Sequence, residues 1–253
     1  MQYNLTGTSH MKTYSSMNSN VRAFSLIETL MVAAVATVLM TLVIPSMSSI
    51  RGAQSITRVG ADIEATLEQA RSYAMANNTY VFVGFAEVDG VQSESVRPQQ
   101  PGTGRLLVGV AASKDGTRGY EVANPGSSWS GAANLVPLSK LRRFDGVHLA
   151  DVLPSPTADM QPVADSSKLG QVTVTTPFDW PIDGGQKVCT FSRVIQFDPQ
   201  GSATIPSGDE LSRWLEVALR PARGSQIDPA SPNFAALQIN GITGAVRLFR
   251  PQI

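Results

Sequence analysis

The chain has little from which to build a catalytic or metal centre. Cysteine occurs once, at Cys189, which excludes an internal disulfide framework and any Cys-x-x-Cys motif. Histidine occurs twice, at His10 and His148, too few for a multi-histidine metal site. Charge is sparse and balanced. Charged residues make up 16% of the chain, with 20 Lys+Arg against 20 Asp+Glu, so no global basic field draws it to nucleic acid. Gly-x-Ser-x-Gly, Gly-x4-Gly-Lys and His-Glu-x-x-His are all missing. Gly102-Thr103-Gly104 lacks the third glycine of a dinucleotide loop and reads as a plain loop. The expectation is a non-enzymatic protein with no cofactor and no metal. Apolar residues are plentiful: 42% of 253 residues is enough for a sizeable core and excludes a highly charged disordered chain.

The apolar residues are unevenly placed. Residues 1–23 carry Lys12 and Arg22 and no acid, and Met1, Met11 and Met17 are alternative starts. From Phe24 the chain reads FSLIETLMVAAVATVLMTLVIP to Pro45, with Glu28 the one charge. Phe24 to Ile44 is about the 20 apolar residues a membrane-spanning helix needs. A buried core helix and a secretory signal peptide are the other readings; the signal peptide lacks a clear small-residue cleavage site in Ile-Pro-Ser-Met-Ser-Ser. A carboxylate inside such a run is costly unless paired, so Glu28 is a candidate functional residue.

The segment Arg22-Ala23-Phe24-Ser25-Leu26-Ile27-Glu28-Thr29-Leu30 resembles the signal of type IV prepilins and type II secretion pseudopilins. The resemblance implies a cut by prepilin peptidase between Ala23 and Phe24, N-methylation of Phe24, and a role for Glu28 in assembly. It also implies a helix kink at Pro45. Ala23 stands where that family usually has glycine. The pairing of Glu28 with a neighbouring subunit's new amino terminus would be a charge-assisted contact that sets the stagger of helices.

Beyond Pro45, Ile56, Val59, Ile63, Leu67, Ala70 and Ala74 recur at spacings of three and four, one apolar stripe on a helix, with Asn77-Asn78 as its stop. From Tyr80 the period changes to that of strands. Signals fall at Tyr80–Phe85, Arg105–Val110, Gln171–Thr175, Arg193–Phe197, Trp214–Leu219, Ala236–Asn240 and Ala245–Phe249, with a hairpin connection over Asn240–Gly244. The Pro-rich stretch Asp151–Ser167 reads as an exposed loop. The expected fold is α+β: a long N-terminal helix, membrane-spanning in its first half, packed against an antiparallel β-sheet head. The expected divisions are a leader at 1–23, a membrane or filament-core helix at 24–45, an amphipathic helix at 46–78 and a β-rich head at 79–253.

The order of strands and turns from Val194 to Phe249 resembles the heads of minor pilins of the pseudopilin H and FimT type. The two resemblances together imply a minor subunit of a secretion pseudopilus or type IV pilus. Its place would be the bacterial inner membrane, single-pass, with the head in the periplasm or on an extracellular filament. Its partners would be prepilin peptidase, other pilin or pseudopilin subunits, inner-membrane lipid, and secreted cargo or DNA. The DNA alternative rests on Arg213, Arg220, Arg223, Arg247 and Arg250 near the end, with Arg247 and Arg250 as the candidate contacts, beside the plainer account of a charge-balanced strand edge. His148 and Cys189 read as a strand or surface histidine and a buried inert thiol.

Overall fold

The computed structural model describes residues 25–119, 132–151, 166–174, 176–182, 185–206, 212–227, 231 and 233–250, with backbone alone at 40–55. The chain divides into two units, Met1–Met47 and Ser48–Ile253. The leader, Ala23, Phe24 and most of the Pro-rich stretch lie outside the described residues, as does the side chain of Pro45.

In the first unit the described chain is helical. Helix α1 is assigned over Leu26–Asn77. Ser25 stands just before it, and its carbonyl accepts from the amides of Glu28 and Thr29 at 3.0 and 3.1 Å. Every side chain from Ser25 to Leu39 is exposed.

Among the described residues no helix is long and apolar enough to cross a membrane. This overturns the expected membrane-spanning first half and the single-pass inner-membrane location. The pilin-like fold, the resemblance that implied it and the pilus or secretion-filament role are overturned with it.

The second unit shows why the helical stripe exists. Ile56, Val59, Ile63, Leu67, Ala70 and Ala74 are all buried, from 0% to 7% exposed, and join one core with the strands. At the end of α1, Asn78 takes φ 49°, and the Thr79 amide reaches back to the Ala74 carbonyl at 3.1 Å. That left-handed residue and 6→1 bond form a Schellman stop.

Two open sheets follow. The first contains β1 (Val81–Asp89), β2 (Gly104–Ser113), β3 (Leu135–Pro137), β4 (Arg142–Asp145), β9 (Arg193–Phe197) and β10 (Ala203–Thr204). Its order is β10-β9-β1-β2-β3, with β4 also on β2. The second contains β5 (Val147–Ala150), β6 (Ser166–Lys168), β11 (Trp214–Arg223), β12 (Gln226–Ile227), β13 (Ala235–Asn240) and β14 (Val246–Phe249). Its order is β12-β11-β13-β14, with β5 and β6 also on β11. A hairpin of β7 (Phe178–Trp180) and β8 (Cys189–Phe191) stands apart. The β6–β11 pairing is parallel, so the expectation of an antiparallel sheet head is corrected: among the described residues there are two larger sheets, one of them mixed, beside the two-stranded hairpin.

Close packing fixes these layers. Gly84 and Gly109 face each other across β1 and β2, and a methyl group on either would lie 2.4 to 2.8 Å from atoms of Phe191. The two glycines thus make the seat for the hairpin's Phe191, whose ring also meets Phe178 at 5.3 Å and Trp180 edge-on at 5.9 Å. Helix α1 meets the second sheet at Gly60, where an added methyl would lie 2.9 Å from Leu248. Glu68 of the helix accepts the amide of Val246 at 3.0 Å, tying the start of β14 to α1.

Candidate binding surfaces

Two features in the molecule have the physical character of a contact surface. The first is the helical segment of the N-terminal unit. Leu26, Ile27, Leu30, Met31, Val32, Val35, Val38 and Leu39 are each 53% to 79% exposed. At 100° per residue they cover about 240° of the helix circumference, whereas a helix on one core needs an apolar arc of about 100°. The remaining arc holds small residues, Thr29, Ala33 and Ala36, whereas Thr37 and Glu28 fall within the apolar arc. Glu28 is exposed in the first turn. Ser25-Leu26-Ile27-Glu28 has the Ser-x-x-Glu spacing of a capping box, and a carboxylate there is favoured by the positive end of the helix dipole. The carboxylate thus has a local reason to be present that needs no membrane, a signal legible in the sequence and overlooked in reading Glu28 as an assembly residue alone.

The second feature is a cleft of about 590 Å³ in the sheet unit. Its floor comes from β1 and its neighbours, where apolar residues give way to charged ones along one face. Phe85 pairs with Arg193 in the β1–β9 register, and Glu87 lies two residues further on the same face. The Glu87 carboxylate is buried, with 6% of its side chain exposed, and turns to His148 of β5. His148 Nδ1 lies 2.7 Å from Glu87 Oε1, and the Gly104 amide donates to the same oxygen at 3.3 Å. An ionised carboxylate can only accept, so Nδ1 carries the proton, and in the neutral ring Nε2 is an acceptor. This pair bridges a strand of the first sheet to a strand of the second.

Another wall of the cleft comes from the β7–β8 hairpin. Asp179, fully buried, accepts from Lys187 Nζ at 2.9 Å and Thr190 Oγ1 at 2.5 Å. Burial first, and then the negative charge of Asp179, push the Cys189 thiol up to about 12, so it is protonated and inert at neutral pH. The Pro98–Thr103 segment closes a further side. It is held by Arg105, which donates from its buried guanidinium to Asp145 Oδ1 at 2.6 Å, Gln99 Oε1 at 2.9 Å and the Gln92 carbonyl at 3.0 Å.

The sequence-derived site residues do not converge here. Ala23 and Phe24 lie outside the described residues, and Pro45 lies within α1 with its side chain undescribed. Arg247 is exposed on β14, at the end of a cross-strand row Lys168, Glu216, Gln238, Arg247. Arg250 is half-buried and donates to Thr57 Oγ1 on α1. Arg220 is buried, while Arg213 and Arg223 are exposed. Of the two candidate DNA contacts, Arg247 is thus exposed on the strand and Arg250 is engaged with the helix. Sequence reasoning missed Glu87 and Arg193; the signal that marked them was a charge at the end of an otherwise apolar alternating strand.

No family model, curated protein or solved structure matches the chain.

Proposed function

We propose that this protein is a non-enzymatic assembly subunit, whose helical segment Leu26–Leu39 packs against the same segment of other copies. The observation that supports it is the run of eight large apolar side chains more than half exposed on one short helical stretch. Burying one such side chain is worth about 1.5–3 kcal/mol. Several together exceed the roughly 4–15 kcal/mol that association costs in lost freedom. An apolar arc of about 240° is wider than one neighbouring helix covers, so the association is a cluster of three or more helices. Thr29, Ala33 and Ala36, at spacings of four and three, supply the face where backbones approach closely or meet water. The sheet unit is then the displayed part of each subunit.

Cross-linking tests the reading. Cys189 is the one cysteine, so Cys189→Ala gives a background free of thiols, into which Leu30→Cys or Val35→Cys is introduced. A bismaleimide is expected to link these positions between copies. Failure of both positions to cross-link, or linking no better than at the exposed control Thr173→Cys, would overturn it.

A further inference from the structure

The geometry points to the cleft beside Glu87 as a recognition site for a small ligand that carries a carboxylate with a hydrogen-bond donor next to it, as an N-acyl amino acid or a peptide C-terminus does. This inference does not depend on the assembly reading. It starts from which polar groups of the cleft are already satisfied. Asp179 is occupied by Lys187 and Thr190, and one oxygen of Glu87 is occupied by His148 and Gly104. Arg193 is different. It is half-buried in the cleft lining, and among the described residues its guanidinium makes no ion pair or hydrogen bond. A guanidinium in that setting presents a planar fork of donors suited to a carboxylate.

The acceptors beside it complete the pattern. Glu87 is the diagonal neighbour of Arg193, at a spacing of roughly 7–8 Å between backbones. Its carboxylate and His148 Nε2 only accept hydrogen bonds when the ring is neutral. A bare anion at Arg193 would feel the Glu87 charge. A ligand that places an N–H or O–H next to its carboxylate instead satisfies both sides, giving its anion to Arg193 and its donor to the Glu87–His148 pair. Ser192 and Thr173 line the same cleft, and their hydroxyls are free among the described residues to donate or accept. Asp151, exposed and also lining the cleft, disfavours a dianion. A volume of about 590 Å³ is within the range of small-molecule sites and leaves room for more than a single acid group.

Backbone-amide NMR of the full chain, titrated with N-acetylglycine, tests this, with two matched probes beside it. N-acetylglycinamide keeps the donor and loses the charge; propionate keeps the charge and loses the donor. N-acetylglycine is expected to shift the amides of Thr103, Ser192 and Arg193 saturably and to bind about tenfold more tightly than either probe, a factor of about 1.4 kcal/mol. Arg193→Gln should lower its affinity by tenfold or more, with Arg193→Lys between the two. The comparison of acid with amide needs no variant, so it stands even if Arg193→Gln perturbs the fold. Equal binding of acid and amide, or no shift at those amides at about 50 mM N-acetylglycine, would overturn the proposal.

Discussion

Replacing Gly84 by alanine puts the packing of the sheet unit to a quantitative test. The added methyl would sit 2.4 Å from Phe191 Cγ and 2.8 Å from its Cβ and Cδ2. Phe191 has little room to retreat. It is fully buried, with Phe178 and Trp180 against its ring and Gly109 beneath its edge. Overpacking of this kind costs about 1–3 kcal/mol. Against it stands the entropy that a glycine in a strand loses on folding, which alanine recovers by about 0.5–1 kcal/mol. The net expectation is a loss of about 1–2 kcal/mol, read in urea as a fall in midpoint of about 0.5–1 M. The explanation is specific to one ring, so a double-mutant cycle isolates it. Phe191→Ala alone should cost about 3–5 kcal/mol. In that background Gly84→Ala should become neutral or slightly stabilising, giving a coupling of about 1–3 kcal/mol. Equal destabilisation by Gly84→Ala in both backgrounds, or none in the parent, would refute the seat made by the two glycines.

Further expectations follow from other contacts. The Cys189 thiol, at about 12 in the folded chain against an ordinary 9.0, stays protonated while the unfolded chain ionises. Its share of stability is therefore full below about pH 9 and falls as pH rises toward 12, by on the order of 4 kcal/mol at most. Cys189→Ala should remove that slope from a series of urea curves between pH 8 and pH 10.5, and a thiol reagent should label the parent only as it unfolds. Glu68→Ala removes the acceptor of the Val246 amide and the partner of Arg71; a loss of about 0.5–1.5 kcal/mol is expected, with the β14 amides losing protection first in hydrogen exchange. Glu87→Ala strands the Gly104 amide and His148 between the two sheets and should cost about 1–3 kcal/mol, whereas Glu87→Asp should recover part of it. An unchanged urea midpoint for Glu87→Ala would show that the pair does not hold the sheets.

The parts of the fold that were legible are those set by periodicity. The stripe from Ile56 to Ala74 could be named because the 3.6-residue repeat is unbroken there, and all six residues are buried. The alternating segments at Arg193–Phe197 and Ala236–Asn240 coincide with β9 and β13 because each pairs along its whole length. The segment from Gln171 has the same alternation, but among the described residues Gln171–Val174 forms no strand; the Val174 amide bonds to the Ser192 carbonyl, and those of Gln171 and Val172 turn back to Lys168. The shortest strands, such as β6 and β12, carry too few residues for any period, and the parallel β6–β11 pairing is a tertiary fact. The N-terminal run misleads for another reason: its composition matches a membrane segment, but an apolar composition describes what a helix avoids, not whether lipid or protein covers it. The cleft was illegible because Glu87, His148 and Arg193 come from three strands distant in the chain, and nothing in sequence spacing brings them together.

On the function proposed above, the exposed apolar helix is a site of association between copies. Sedimentation equilibrium of the full chain in detergent-free buffer, with Leu30→Gln/Val35→Gln in parallel, tests it most directly. Both positions are exposed, so the sheet unit should keep its urea midpoint. A parent mass of three or more chains is expected, with a variant that is monomeric or at least about tenfold weaker in association. A monomeric parent at about 50 µM, a variant that associates as strongly as the parent, or a parent that floats with phospholipid vesicles while failing to self-associate would contradict it.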